Sequence, residues 1–208
     1  MKLVRKMNNI FHDICLMLNG IEDYHDTGTR KHEIRTGKTM EMLGETYGFN
    51  KKTCKILKEI GSIHDIGKIV LPANIIEKPG PLTQFERKVV ELHPLVGYDI
   101  IKKIDHPFSE IAGKAILTHH ENYDGTGYPR GLAGEKIPIE GRICAICDCY
   151  DALREHRPYR EAQTHERVVN FMFDDSPKGL YHKFDPVLIS MFLDIAPNIR
   201  QLYDDKKV

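Results

Sequence analysis

Two pairs of adjacent residues in this chain carry side chains suited to metal chemistry. His64-Asp65 and His119-His120 each follow an apolar stretch, and a glycine-rich segment at residues 122–129 comes soon after the second pair. Imidazole and carboxylate groups are common ligands of divalent transition metals. A glycine-rich backbone can come close to a bound ligand. The sequence therefore predicts a metal centre beside a ligand pocket.

Two cations need more donors than these pairs supply, and we expect the others to come from separate helices. Adjacent residues of a helix project about 100° apart, so His64 and Asp65 are expected to flank two cations, with the carboxylate between them. The same reasoning applies to His119 and His120, although a helix end would let both rings turn inward. The candidate metal ligands are His32, His64, Asp65, His93, His119, His120 and Asp148.

The remaining histidines and the cysteines are predicted to pack in the core or to face solvent. Cys144 and Cys147 have C-x-x-C spacing, with Cys149 close by, but no second pair accompanies them. We therefore expect small core residues on a helix rather than a zinc or redox site. The histidines assigned to structural or surface positions are His12, His25, His106, His156, His165 and His182.

The elements that must position the donors are predicted to be helices, because helical periodicity recurs along the chain and strict alternation is scarce. A capping box beginning at Thr83 marks one helix start, and Pro94 is expected to kink or restart that helix just after His93. We predict an all-α fold, with one domain over residues 1–208. Helices are expected at residues 2–18, 30–47, 52–66, 107–120, 140–154, 164–173 and 186–193, with loops at 69–82 and 121–138.

Composition limits the class of protein. Lys plus Arg and Asp plus Glu are 30 each, so the formal net charge is zero, and no long-range field favours nucleic acid or an anionic membrane. No apolar stretch is long enough to span a bilayer, and no signal peptide is evident. Five cysteines, an odd number, favour a reducing compartment, so we expect a cytoplasmic protein.

Five segments together resemble those of an HD-GYP domain, a branch of the HD phosphohydrolases. They are residues 64–68, 78–83, 93–97, 119–129 and 142–153. The resemblance covers about residues 10–195 and implies an all-helical HD bundle with a glycine-rich loop at residues 121–138, the GYP loop. It also implies a bridged metal centre, with iron or manganese, and hydrolysis of cyclic di-GMP in bacterial signalling.

Position 28 departs from the pattern of part of that family. Some members carry a glutamate four residues before the first ligand histidine, where it helps to hold a third metal. The residue four before His32 is Gly28, which has no side chain to coordinate a metal. Asp26 or Glu33 could in principle substitute for it, but neither has the required spacing. We therefore expect two divalent metal ions rather than three.

Several residues near the ligand pairs are expected to contact the substrate. Lys68 stands three residues after Asp65 and could reach a phosphate oxygen, so these two are the candidate catalytic residues. The resemblance implies that Arg157 and Arg160 hold the second phosphate or a guanine, and Arg160 replaces a lysine that is common in the family. Tyr128 could stack or hydrogen-bond at the pocket rim, and a packing role is an equal alternative.

Three charged residues are predicted to support the site rather than to touch the substrate. Asp124 and Asp151 are expected to orient ligands or hold a loop in place. Arg35 follows His32 by about one helical turn and is expected to pair with one of these carboxylates.

Other functions are compatible with the same residues. The chain could cleave another cyclic dinucleotide such as cyclic GMP-AMP, or only the linear dinucleotide, because base-contacting residues are not recognisable. It could instead sense cyclic di-GMP or dock onto a partner without hydrolysis, although both intact ligand pairs disfavour this. A deoxynucleotide triphosphohydrolase would share the HD core but leave the GYP loop unexplained. Expected partners are diguanylate cyclase (GGDEF) proteins at the GYP loop and a second copy through the first helix.

Overall fold

Every regular element in the described chain is helical. The structure, a computed structural model, describes residues 2–25, 30–155 and 161–204, and the side chains of residues 10–22, 30–155 and 161–203. No β-strand occurs in these ranges, so the predicted all-α class is confirmed. The α-helices are α1 (Lys2–His25), α2 (Arg30–Tyr47), α3 (Lys51–Gly61), α4 (Ala73–Ile76), α5 (Gln84–Val90), α6 (His93–Ile101), α7 (Ser109–Thr118), α8 (Ile139–Arg154), α9 (His165–Phe173) and α10 (Pro186–Asp204). Short 3-10 helices cover Ile66–Val70, Gly134–Lys136 and Tyr181–Lys183.

Local signals in the sequence locate several helix starts correctly. The Thr83 hydroxyl accepts a hydrogen bond from the Glu86 backbone N–H at 3.2 Å, and the Glu86 carboxylate accepts one from the Thr83 N–H at 2.7 Å. These two bonds form the predicted capping box of α5. α6 begins at His93 with Pro94 in its first turn, which is the predicted restart. Thr164 caps α9 through its side chain.

Packing extends two helices beyond their predicted ends. α1 continues through Gly20 to His25, because Cys15, Leu18 and Glu22 lie on one buried face that spans the glycine. α10 continues through Pro197 to Asp204 instead of ending at residue 193. Burial of side chains on the last turns favours this continuation over the loss of one backbone hydrogen bond.

The predicted helix at 52–66 and the predicted loop at 69–82 were both wrong in detail. α3 ends at Gly61, because side chains after it take up the freed carbonyl groups. Ser62 donates from its hydroxyl to the Glu59 carbonyl at 2.8 Å, and His64 donates from Nδ1 to the Gly61 carbonyl at 2.9 Å. The expected loop contains α4 and the end of a 3-10 helix.

The hydrophobic core lies between α2, α3, α7, α8 and α10. Leu43, Leu57 and Phe192 are fully buried there. Cys144 and Cys147 are free thiols buried in the same cluster, which agrees with the prediction that they are core residues. No helix of the described residues is both long and apolar enough to cross a bilayer.

Two glycine contacts bring the helix ends close enough to form a site. A Cβ on Gly61 would lie 2.6 Å from the Gly37 Cα, so α3 meets α2 backbone to backbone. A Cβ on Gly67 would lie 1.9 Å from the His93 carbonyl oxygen, so the segment after α3 presses against the start of α6. Larger side chains would separate these elements. The donors at residues 32, 64, 65 and 93 can therefore converge.

Candidate metal centre

The seven predicted ligands lie together in two groups, and within each group the donor atoms are within 4.8 Å of one another. The first donor group is His32, His64 and Asp148, and the second is Asp65, His93, His119 and His120. Four of these residues follow the ends of α3 and α7, His93 begins α6, and the other two lie within α2 and α8, so the site sits where several helices meet. The structure thus brings together every residue of the predicted ligand set.

The adjacent residues His64 and Asp65 face different groups, as the spacing argument predicted. The Asp65 carboxylate lies between the groups: its Oδ2 is 3.6 Å from the His64 Nε2, and its Oδ1 is 3.1 Å from the His93 Nε2. One carboxylate is therefore positioned to contribute to both groups.

His119 and His120 do not flank the two groups but both belong to the second donor group, which is the arrangement that a helix end was expected to allow. Their ring centroids are 4.1 Å apart. α7 ends at Thr118, so the two histidines lie in a turn where the 100° separation of helical neighbours does not apply. The turn aims both rings to the same side.

Backbone carbonyl groups orient three of the rings. His64, His93 and His119 each donate a hydrogen bond from Nδ1 to the backbone carbonyl three residues earlier. The distances are 2.9, 2.8 and 2.7 Å. A neutral imidazole that donates from Nδ1 has a lone pair on Nε2. The Nε2 lone pairs of these rings therefore point into the site, which is the arrangement that metal-binding histidines usually have.

The packing of these lone pairs fits a cation. The Nε2 atoms of His93 and His119 lie 3.2 Å apart, although both carry lone pairs. Two nitrogen ligands of one metal, each about 2.1 Å from it, are separated by roughly 3.0–3.4 Å. The buried His64 Nε2 and Asp65 Oδ1 receive no hydrogen bond from the described residues. These donors fit a pair of divalent cations, and their mixed nitrogen and oxygen chemistry is compatible with several transition metals.

Electrostatics keep the two carboxylates anionic. Burial favours the neutral acid, but the Lys68 ammonium and the His64 ring hold the pKa of Asp65 well below its ordinary value. Burial acts likewise on Asp148, and the neighbouring His32 and His64 rings hold its pKa well below the ordinary value too. Both groups are therefore charged at neutral pH and can attract cations.

The histidines respond in opposite ways to the same surroundings. Burial favours neutral His32, but hydrogen bonds to Asp148 and Asp151 outweigh it and raise the pKa of His32 to about 10. Burial, reinforced by the neighbouring His119, lowers the pKa of His120 well below its usual value. Without a cation, a proton thus resides on the first donor group, and the second remains rich in lone pairs.

Asp151 supports the first donor group, as predicted. Its Oδ2 accepts a hydrogen bond from the His32 Nδ1 at 2.9 Å. Arg35 donates from Nε to Oδ1 at 2.7 Å and from a terminal nitrogen to Oδ2 at 2.9 Å, so it is the expected carboxylate partner. Asp124 has a different role: its carboxylate accepts the Thr126 backbone N–H at 2.9 Å and shapes the GYP loop.

The predicted substrate residues are only partly placed by the structure. Lys68 forms an ion pair with Asp65 at the edge of the site. The Tyr128 ring stacks on the His120 ring, with centroids 4.8 Å apart and planes 30° from parallel. Arg157 and Arg160 lie outside the described residues, as do Gly28 and Asp26.

Sequence reasoning missed Glu22 and set Glu33 aside, and both are buried acids beside the site. Glu22 and Glu33 are each 1% exposed, and their carboxylate oxygens receive no hydrogen bond from the described residues. Burial first, and then the Glu33 charge, raise the pKa of Glu22 to about 9. The spacing of Glu22 from Cys15 and Leu18 on one face of α1 is the signal that would have found it.

A third acid, Glu121, was also missed, and it holds the GYP loop. Its two carboxylate oxygens accept backbone N–H groups of Arg130 and Leu132, at 2.8 and 2.9 Å. Glu121 follows the second histidine pair directly, so it ties the glycine-rich backbone to the metal-ligand turn. No local sequence pattern distinguishes it from a surface glutamate.

Comparison with known proteins assigns the chain to a protein family. The family model described as HD domain matches residues 17–183. The chain belongs to the HD domain family. The matched range contains all seven donors, and the His64-Asp65 pair lies in its first third. The start of α1 and all of α10 lie outside the matched range.

Curated relatives resemble this HD domain in sequence over most of its length. It is 34% identical, over 86% of the chain, to the cyclic di-GMP phosphodiesterase response regulator RpfG of Xanthomonas campestris pv. campestris. It is also 34% identical, over 80% of the chain, to the 3′3′-cGAMP-specific phosphodiesterase 2 of Vibrio cholerae. The chain spans 47% of the first relative and 31% of the second, about half their length or less.

A solved structure confirms the fold independently of sequence. The HD domain of the L. monocytogenes phosphodiesterase PgpH superposes with a TM-score of 0.63 at 19% identity. The superposition covers 89% of this chain and 98% of that chain. The all-helical HD bundle is therefore shared, while the low identity carries no argument about substrate.

Proposed function

We propose that this HD domain is a metal-dependent phosphodiesterase that hydrolyses the 3′,5′ phosphodiester bonds of cyclic di-GMP, giving pGpG, GMP or both. The observation that carries the proposal is the Asp65 carboxylate lying between two groups of converging donors. One relative that this chain resembles over most of its length, RpfG, is itself a cyclic di-GMP phosphodiesterase response regulator.

The proposed metal ligands are the seven donors of the two groups, holding two divalent ions, iron or manganese. When bound, such ions supply Lewis acidity toward the phosphate and an activated water nucleophile. Carboxylates that remain ionised and rings that present Nε2 lone pairs are what this chain provides for them. The absence of a side chain at Gly28 supports two ions rather than three.

Lys68 is proposed to bind a non-bridging oxygen of the scissile phosphate. Its ammonium group is at the edge of the site and pairs with Asp65, which keeps the charge next to the place where the phosphate must bind. Its side chain is 21% exposed, so it can meet both protein and ligand. Asp65 and Lys68 thereby act together, the first on the cations and the second on the phosphate.

The more distant parts of the substrate are assigned to Tyr128, Arg157 and Arg160. The Tyr128 ring stacks on the His120 ring, which supports a role in orienting that ligand and bordering the substrate. Arg157 and Arg160 are proposed for the second phosphate or a guanine, since an arginine can bind either in bidentate fashion.

Product analysis on cyclic di-GMP tests the proposal. Protein purified without oxygen and loaded with Mn²⁺ or Fe²⁺ should convert cyclic di-GMP to linear pGpG or GMP, and a variant with His64→Ala and Asp65→Ala should not. Turnover in that variant equal to the unsubstituted protein would refute the assignment of the site.

Cyclic GMP-AMP is the second candidate substrate, since the V. cholerae relative is a 3′3′-cGAMP-specific phosphodiesterase. Side-by-side kcat/KM values for the two cyclic dinucleotides and for linear pGpG separate these substrates. A metal-loaded protein that binds cyclic di-GMP but cleaves none of the three would instead favour a non-hydrolysing sensor.

Partners and setting complete the proposal. The GYP loop is proposed to dock diguanylate cyclase (GGDEF) proteins.

Exposed Ile10, Met17 and Ile21 on α1 have the spacing of a helix-packing stripe, which supports a homodimer through this helix. The five cysteines are free, which supports the proposed cytoplasmic setting. We also propose that residues 1–208 form one HD-GYP domain.

A further inference from the structure

A tyrosine near the end of α10, outside the matched HD region, contacts the carboxylate that holds a proposed metal ligand. The Tyr203 hydroxyl donates a hydrogen bond to the Asp151 Oδ1, across a separation of 52 residues. Asp151 is 1% exposed and holds the His32 ring. We propose that Tyr203 is a positioning residue for the first donor group, acting through Asp151 on His32. This rests on the proposed metal binding.

Tyr203 completes the hydrogen bonding of the Asp151 carboxylate. Oδ2 accepts from the His32 Nδ1 and from an Arg35 terminal nitrogen, both at 2.9 Å. Oδ1 accepts from the Arg35 Nε at 2.7 Å and from Tyr203. Each oxygen therefore has two donors, which fixes the carboxylate plane from both sides. Removal of one donor would free the carboxylate to rotate, and the His32 ring would follow.

The tyrosine ring is itself held in place. The Arg35 guanidinium carbon lies 4.9 Å from the ring centroid, and that of Arg154 lies 4.7 Å from it. Arg35 also pairs with Glu155, and Arg154 donates to the Gln163 carbonyl at 2.9 Å. Two cations that are anchored elsewhere therefore lie against the ring, and each such contact stabilises its placement. The hydroxyl has little freedom to leave Asp151.

The bond pattern also sets which nitrogen of His32 faces the cation. An ionised carboxylate only accepts hydrogen bonds, so the His32 Nδ1 must donate to Asp151. Nε2 then points toward Asp148, whose Oδ1 is 3.3 Å away, and into the first donor group. Outer partners of this kind commonly change metal affinity about 10- to 100-fold when they are removed.

Tyr203→Phe deletes the hydroxyl and keeps the ring contacts with the two arginines. Tyr150→Phe is the matched control, because Tyr150 is a fully buried tyrosine whose hydroxyl is hydrogen-bonded to the His165 Nδ1, at 2.7 Å, and not to Asp151. Both variants lose one hydrogen-bonded hydroxyl, so a general loss of stability would affect them alike. Only Tyr203→Phe removes a hydrogen bond from the Asp151 carboxylate that holds the His32 ring.

The experiment titrates Co²⁺ into metal-free protein and follows the visible absorption of the bound ion. We expect Tyr203→Phe to weaken the binding of one ion at least about tenfold and to alter its spectrum, and Tyr150→Phe to match the unsubstituted protein. Equal affinities and spectra in all three proteins would overturn the role of Tyr203 while leaving the metal centre standing. Failure of the unsubstituted protein to bind Co²⁺ at all would instead overturn the proposed function.

Proton NMR of the metal-free protein gives a second readout that does not depend on the loaded enzyme. The His32 Nδ1 proton, held against Asp151, should give a downfield signal. Its chemical shift should move in Tyr203→Phe and stay in place in Tyr150→Phe. An unchanged shift in Tyr203→Phe would count against the proposal.

Discussion

His64 and Asp65 are consecutive in the chain, and 3.6 Å separates the His64 Nε2 from the Asp65 Oδ2, yet the two side chains belong to different donor groups. His64 lies with His32 and Asp148, and Asp65 lies with the other histidines. The turn after α3 therefore supplies each group with one ligand. The consequence is that single substitutions should distinguish the two cations.

We expect His93→Ala to retain about one metal ion per chain, because it removes a ligand of the second donor group only. Asp65→Ala should retain less than one, since its carboxylate lies between both groups. Elemental analysis of anaerobically purified protein measures this. His12→Ala is the control, since His12 is exposed and pairs with Glu59 away from the site. Two ions retained in Asp65→Ala would contradict the shared position of that carboxylate.

Lys68→Ala should lower kcat by about 100-fold while leaving the metal content near that of the unsubstituted protein, because the ammonium is assigned to the phosphate. Steady-state kinetics with parallel metal analysis measures both quantities. Lys102→Ala provides the control, since Lys102 is exposed and pairs with Asp99 on the surface. Unchanged kinetics in Lys68→Ala, or a loss of metal equal to the loss of turnover, would argue against this role.

Gly67→Ala should destabilise the protein by at least about 2 kcal/mol, because its new Cβ would lie 1.9 Å from the His93 carbonyl oxygen. The shift required at α6 should also lower the affinity for the second cation. Gly20→Ala is the control: it has open space around it within α1 and should stabilise the helix by about 0.5–1 kcal/mol. Urea denaturation measures both, and equal stability of the two variants would contradict the packing argument.

Glu22 gives a pH dependence whose sign can be worked out. Its pKa is raised to about 9 in the folded protein, against about 4.3 in an unfolded chain. The fold therefore retains a proton that the unfolded chain releases. This contribution to stability is complete below about pH 4 and is lost as the pH rises toward 9.

Glu22→Gln should abolish this loss of stability at high pH, because glutamine does not titrate. The gain in the unfolding free energy of the metal-free protein should be about 2 kcal/mol larger at pH 8 than at pH 5. Urea denaturation at the two pH values measures the difference. Glu110→Gln is the control, because Glu110 is exposed and paired with Lys114. If Glu22→Gln destabilises the protein equally at both pH values, Glu22 is not a proton-holding buried acid.

The sequence was most informative where chemistry and spacing coincide. His64-Asp65, His93 before a proline and the Thr83 capping box each signal their role through near neighbours, and the structure places them accordingly. His119-His120 was also placed in the correct site, but the sequence left open whether the rings flank the cations or turn to one side. That depends on the end of α7 at Thr118, which packing decides rather than a local signal.

Residues whose role depends on distant parts of the chain were not predictable. Glu22 and Glu33 have the composition of surface acids, and only the fold of α1 against the site buries them. Tyr203 meets Asp151 across 52 residues, and this contact exists only because α10 continues through Pro197. Long-range packing decides such contacts, and no short pattern records it.

Anomalous X-ray scattering from Mn²⁺-loaded crystals tests the metal centre most directly. Two peaks are expected, one in contact with His32, His64 and Asp148 and the other with His93, His119 and His120, and with Asp65 contacting both. A single peak, or peaks away from these side chains, would contradict the account.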